Sequence, residues 1–217
     1  MKQIIFTISL TITTIIGFSQ RIITDATLKY NIVIKKNGDK NNNTVPNATY
    51  QLFIKGNQTK SDFINSIGTE TSIYNSKTEK GVILKEYSGQ KLMINMSKQD
   101  WLTQNQLFRN IDFKFENSEK KINGTLCKTA TARLQNGGLL TVYYDTAVSI
   151  LNNNYTIAFP AIPGTPIQFE NFNNGMTYVY TLVGINYEVL SSNVFDIPKS
   201  GYRVISYQDA ISLKKGE

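Results

Sequence analysis

Any chemistry in this sequence has to be done without histidine, because the chain has none. Histidine is the side chain that ordinarily moves protons near neutral pH. A Ser-His-Asp triad is therefore excluded, as are a Cys-His pair and the common His-based zinc and iron sites. Cys127 is the only cysteine. One cysteine makes no internal disulfide framework, and with no histidine to generate thiolate it reads as a small, buried, reduced hydrophobe, dispensable for activity. No P-loop, no Rossmann glycine pattern and no Asp-x-Asp-x-Asp-Gly calcium loop is present. Paired carboxylates about 5–10 Å apart can hydrolyse glycosides, but no pair in the sequence has a claim to that role. Asp112 and Glu116 fall on one face of an expected strand, most simply its wet side. Asp145 ends a strand, and Glu170 follows a proline-rich stretch. The expectation is a protein that is not an enzyme and has no cofactor or metal.

The candidate site is instead the stretch from Phe159 to Phe169. Pro160, Pro163 and Pro166 fix φ at three closely spaced points, and Gly164 lies between two of them. Prolines do not donate to a ladder, so the stretch is not expected to be a central strand. Phe159, Ile162, Pro163, Gly164, Ile167 and Phe169 form a stiff, apolar, kinked unit. It is either a plug that closes one end of the core or a lip that binds a ligand, with the plug as the default.

The elements that position it read as strands. In Ala26–Lys36, Leu28, Tyr30, Ile32 and Ile34 alternate with Lys29, Asn31 and Lys35, the period of a half-buried strand. Tyr50–Lys55 alternates in the same way. Ser72–Lys77 and Gly81–Tyr87 flank a short turn, and Lys91–Met96 follows Ser88-Gly89. Ile111, Phe113 and Phe115 alternate with Asp112, Lys114 and Glu116. Thr125–Leu134 and Leu139–Tyr144 are joined by Asn136-Gly137-Gly138, a strong hairpin signal. Thr177–Leu190 gives one or two strands with a bulge or bend at Gly184. Helix signals are few: a capping box at Ser206 and Asp209, and a short turn near Asp100–Leu107. Short turns between successive strands predict antiparallel meanders.

The N-terminus predicts export. Lys2 precedes an uncharged apolar run, Ile4–Ile16, and Gly17 and Ser19 stand at the −3 and −1 positions of a cleavage site. Residues 1–19 read as a signal peptide and 20–217 as a single domain. The run is too short to span a bilayer, which takes about 20 residues, and no later segment is apolar for long enough. The chain has 23 Lys+Arg against 16 Asp+Glu, a net charge of +7. Its lysines are scattered, with no basic stripe interleaved with aromatics, so no nucleic-acid partner is expected.

Two resemblances add to this reading. Gly124-Thr125-Leu126-Cys127-Lys128-Thr129-Ala130, then Thr141–Asp145, then Phe159–Glu170 resemble the exported bacterial family named after a Gly-Leu-Pro-Gly-Leu-Ile motif (GLPGLI). Here Ala161 and Ile162 replace the motif's first Gly and Leu, and Thr165-Pro166 interrupts its end. That family implies no biochemical activity. Phe195–Tyr202 is similar to the last-strand segment of periplasmic proteins of the lipoprotein-carrier fold. The resemblance implies a curved, incompletely closed antiparallel sheet with a helical lid and an apolar concave face. The expected fold is thus mainly β: a single curved antiparallel sheet, an open half-barrel, with one or two short helices. A small β-sandwich or barrel is the alternative. The expected role is an exported cell-envelope protein, periplasmic or outer-membrane associated, with secretion as the alternative, that binds or carries an apolar ligand such as a lipid or lipidated peptide. The alternative is an envelope protein–protein interaction module with no small ligand. Oligomeric state is left open.

Overall fold

The alternation at Leu28, Tyr30 and Ile32 makes Asp25–Lys36 the longest strand, β2, and the rest of the sheet grows from its two sides. The computed structural model describes residues 21–36, 48–106, 111–135, 137–150, 159, 161–173 and 175–215. The expected signal peptide, residues 1–19, lies outside them.

One meander leaves β2 through β3 (Ala48–Lys55), β4 (Gln58–Asn65), β5 (Gly68–Asn75), β6 (Lys80–Tyr87) and β7 (Gln90–Met96). Helix α1 (Lys98–Gln104) follows. A second meander begins at the opposite edge with β8 (Lys114–Ile122). It returns through β9 (Thr125–Arg133), β10 (Leu139–Asp145), β12 (Thr165–Asn173) and β13 (Met176–Asn186), which pairs with β2. The strap 187–202 then leads to β14 (Arg203–Ser206), which adds beside β7, and to helix α2 (Tyr207–Lys215). Among the described residues the sheet has 12 strands, in the order β14-β7-β6-β5-β4-β3-β2-β13-β12-β10-β9-β8. Its edges, β14 and β8, do not pair with each other, so it stays open. The expected mainly β, open-sheet architecture with two short helices is what the chain adopts.

Several expectations need correction. The sheet is not wholly antiparallel: β14 runs parallel to β7, and β1 (Arg21–Ile23) pairs in parallel with β11 (Val148–Ile150) in a separate two-stranded sheet. The last strand is Arg203–Ser206. Within Phe195–Tyr202, the stretch expected to form it, Phe195 closes a 3-10 turn, Ser192–Phe195. Ile111 to Phe113 precede β8, so Asp112 and Glu116 share no strand face. β12 is central between β13 and β10, so the expectation of no central strand holds only before Thr165. Pro166 fits because pairing with β10 slips between Tyr143 and Tyr144, next to the strand's first residue, where a missing N–H is tolerated.

Local rules account for the rest. Pairing of β13 with β2 slips between Leu182 and Gly184, the expected bulge. Ser97 and Asp100 box the start of α1, and Ser206 with Asp209 boxes α2, with Ser206 Oγ donating to Asp209 Oδ2 at 2.6 Å. Edge strand β8 carries Lys114, Glu116, Glu119, Lys120 and Lys121 and a bulge, which protect an edge from pairing with another chain.

Directly opposed residues share a face, and the register traces a row along the concave side. It runs Ala130, Val142, Phe169, Tyr180 and Ile32, then from Tyr30 through Tyr50, Phe63, Glu70 and Lys85 to Leu92. The main core lies at the β2, β9, β10, β12 and β13 end of this face. At the other end Ile83, Ile94 and Met96 meet Tyr207, Trp101, Ala210 and Ile211 of the two helices. The convex side of β5–β7 buries Ile73, Val82, Leu84 and Met93 under Phe195 of the strap.

Candidate functional site

The six residues singled out in the sequence are brought into one turn and the start of one strand. Phe159, Ile162, Ile167 and Phe169 are buried in the main core, Gly164 is buried and Pro163 is exposed. The Phe159 and Phe169 rings meet edge-on at 4.7 Å, and Phe169 stacks on Tyr180 at 4.5 Å. Phe113 adds a tilted contact to Phe159 at 6.4 Å. Gly164 N–H donates to Ile162 O at 2.9 Å, closing a tight turn. A Cβ at Gly164 would lie 2.1 Å from Asp145 O, so only glycine lets the turn approach β10 this closely. The Thr165 hydroxyl donates to Val148 O at 3.0 Å, and the Tyr30 hydroxyl to Pro166 O at 2.9 Å. The turn and the start of β12 are thus packed into the main core.

Along the concave row the chemistry then changes. Tyr30, Tyr50, Phe169 and Tyr180 form a connected aromatic tier, with Tyr50 edge-on to Tyr180 at 5.8 Å. Burial pushes the Tyr50 and Tyr180 hydroxyls above the ordinary phenol range, so both stay neutral at physiological pH. Next stand Glu70 and Lys85, cross-strand partners with Nζ 2.7 Å from Oε2. Beyond them the face becomes apolar again and is roofed by α2.

Between α2 and the sheet lies a cleft of about 260 Å³. Its floor is Ile83, Leu92 and Ile94, and its roof Tyr207, Ala210, Ile211 and Leu213. Its geometry follows from chain direction. Ser206 opposes Asn95, so α2 starts over the end of β7 and folds back toward Leu92. The inner end is closed by Tyr207, whose hydroxyl donates to Gln104 Oε1 of α1 at 3.0 Å. Leu213, six residues or about 9 Å further along the helix, lies toward the opposite end, where the lining includes Lys85 and Tyr87. Gln104, Tyr207, Lys85 and Tyr87 thus add a few polar groups to an otherwise apolar lining.

The two helices are held differently. α1 is tied down by the Trp101 ring, stacked on Tyr74 at 4.8 Å, and by Lys98 Nζ at 2.7 Å from Glu79 Oε1. α2 rests on its capping box, the Tyr207–Gln104 bond and one apolar face. Among the described residues no group of three or more Cys, Asp or Glu is placed to hold a metal. None of their helices is long and apolar enough to cross a membrane.

The α2 cleft was not among the residues expected from sequence. Its signal was there in Val82-Ile83-Leu84 and Leu92-Met93-Ile94, runs that break the alternation because both faces of those strands are covered. The spacing Tyr207, Ala210, Ile211 marks the covering face of the helix.

No protein-family model matches the chain, and no curated protein matches it. The Gly124–Ala130 and Phe159–Glu170 segments therefore stand as a resemblance. Among solved structures, 86% of the chain aligns with PNGF-II at 14% identity and TM-score 0.45, spanning only 33% of that protein. An uncharacterised conserved protein from Thermus thermophilus aligns over 83% of this chain and 90% of its own, at 10% identity and TM-score 0.49. LprF from Mycobacterium bovis aligns over 75% and 87%, at 12% identity and TM-score 0.34.

Proposed function

We propose that this is an exported, non-enzymatic envelope protein that binds or carries an apolar ligand, such as a lipid or lipidated peptide, on its concave face. The observation that carries the reading is the cleft under α2. Its floor and roof are apolar, and its roof is a single helix whose sheet-facing side chains are Tyr207, Ala210 and Ile211. Moving apolar groups of a ligand out of water into such a slot yields about 25 cal/mol per Å². The Phe159–Phe169 segment supports this role indirectly, by closing the far end of the core and holding the sheet's shape. The lack of histidine agrees with a binding role, and the Lys2–Ser19 segment with export.

The test is displacement of N-phenyl-1-naphthylamine, a neutral fluorescent probe, from the delipidated protein by long-chain alcohols. Saturable binding is expected in the wild type. Ile211→Trp, which fills the slot, should abolish it, whereas a change in the plug that leaves the protein folded should not. Absence of saturable binding, together with stoichiometric capture of an envelope protein, would favour the interaction-module alternative instead.

A further inference from the structure

We infer that the ligand of the α2 cleft is a single-chain amphiphile with an anionic head, carboxylate or phosphate, bound tail inward with its head on Lys85. This inference rests on the binding role proposed above.

Among the described residues, Lys85 is the only charged side chain lining the cleft. It stands opposite Leu92, at the end away from the Tyr207–Gln104 closure, so the cation sits where a ligand's head would remain when its tail lies on Ile83, Ile94 and Ile211. A charged head left against apolar walls requires a counter-charge. Lys85 supplies one, and Tyr87, two residues along the same strand face, adds a hydroxyl. Glu70 occupies Lys85 only in part. An ammonium has three donors, and one is directed at Glu70 Oε2, 2.7 Å away. The pair is partly exposed, with side-chain exposures of 20% and 31%, so the amine can take a second anion from the cleft side. Glu70 itself does not line the cleft, so a head in the cleft meets the ammonium and not the carboxylate. The volume, about 260 Å³, lies below the usual small-molecule range of about 300–1,000 Å³ and suits one chain better than two.

The experiment compares dodecanoic acid, dodecyl phosphate and dodecanol as displacers of N-phenyl-1-naphthylamine from the delipidated full chain. Tails are identical, so the ratio of affinities reads the head alone. The acid and the phosphate are expected to bind about tenfold tighter than the alcohol, the scale of one charge-assisted hydrogen bond. Lys85→Gln should bring the ratio close to one, and Lys85→Arg should restore it. Thermal melts of both variants confirm that they are folded. The stronger of the two anions identifies the source as a fatty acid or a phosphate monoester. Equal binding of acid and alcohol by the wild type, or a preference that survives in Lys85→Gln, overturns the head-group assignment and leaves the apolar site standing. Failure of all three compounds to displace the probe overturns both.

Discussion

The Tyr30 hydroxyl donates to the Pro166 carbonyl at 2.9 Å, joining residues 136 apart in the chain and linking β2 to β12 across β13. Pro166 is fully buried, and its carbonyl is reached by a strand two places away. Removing the donor strands a buried acceptor, which costs about 1–3 kcal/mol. Tyr30→Phe should therefore lower unfolding free energy by that amount in a denaturant titration. Its effect on probe binding at the α2 cleft should be small. A variant as stable as wild type would show that this bond does not hold the plug in place.

Ile162 provides the sharper test of the plug. It is only 2% exposed and belongs to the main core cluster. Truncating a buried Ile costs roughly 2–5 kcal/mol, through lost transfer energy and the cavity left behind. Ile162→Ala should show that loss in a thermal melt beside wild type. An unchanged melt with weakened ligand capture would restore the lip reading of this segment.

The packing of Phe159–Phe169 was legible because its signal is local: three prolines, one glycine and four large apolar residues in eleven positions. The strands with clean alternation were legible for the same reason. β4 was not, because its sequence, Gln58–Asn65, carries one apolar residue on each face, Phe63 and Ile64, among polar ones. Lys60 lies over the Phe53 ring at 5.3 Å and pairs with Asp62 at 3.4 Å, and the Thr71 hydroxyl donates to Asp62 at 2.6 Å. Contacts of this kind, along β4 and across to β3 and β5, stabilise a strand without leaving an apolar period to read. The cleft under α2 was hidden by distance. Ile83 and Ile211 are far apart in sequence, and a parallel strand at the edge is what brings the helix back over the sheet.

Cys127 is fully buried and free. Burial raises its thiol above the ordinary range, so thiolate is scarcer than in the unfolded chain at any neutral pH. Labelling with a maleimide should be far slower in the native protein than in denaturant. Cys127→Ala should leave probe binding unchanged. Native labelling as fast as that of the unfolded chain would show that β9 opens at this point.

The strap over the convex face carries a pH-dependent latch. The Tyr202 hydroxyl donates to Glu86 Oε1, and Lys91 Nζ lies 2.9 Å from Glu86 Oε2. Its bond to Glu86, with lesser help from burial, raises the Tyr202 phenol from 10.0 to about 12. A raised pKa means that this contribution is fully present below the unfolded value and is lost as pH rises through the folded one. Protection factors of the strap amides should therefore be steady up to about pH 10 and fall toward 12. Tyr202→Phe should lack that extra step and exchange faster at pH 8. The same step in both proteins would assign it to another tyrosine.

α2 begins at a capping box in which Asp209 N–H donates to Ser206 Oγ at 3.1 Å and Ser206 Oγ donates to Asp209 Oδ2 at 2.6 Å. These bonds satisfy amide and hydroxyl groups at the end of the helix that the Tyr207–Gln104 bond also anchors. Ser206→Ala removes the box and leaves the apolar contacts of Ala210 and Ile211 in place. The main core cluster contains no residue of α2, so the global melt should move little, whereas amides of Tyr207–Lys215 should exchange several-fold faster. Acid should imitate the mutation. Hydrogen bonds from Ser206 hold the Asp209 carboxyl below its ordinary value, so its contribution is present above the unfolded pKa of 3.8 and is lost as pH falls through the lower folded one. Wild-type α2 should loosen in that window, and the variant should show less of this dependence. If the cleft binds its ligand under α2, faster opening should raise both the on-rate and the off-rate of the probe and change its affinity less than either. Exchange in α2 that follows the core strands in both proteins would show that the helix is part of the cooperative fold and not a roof that opens on its own.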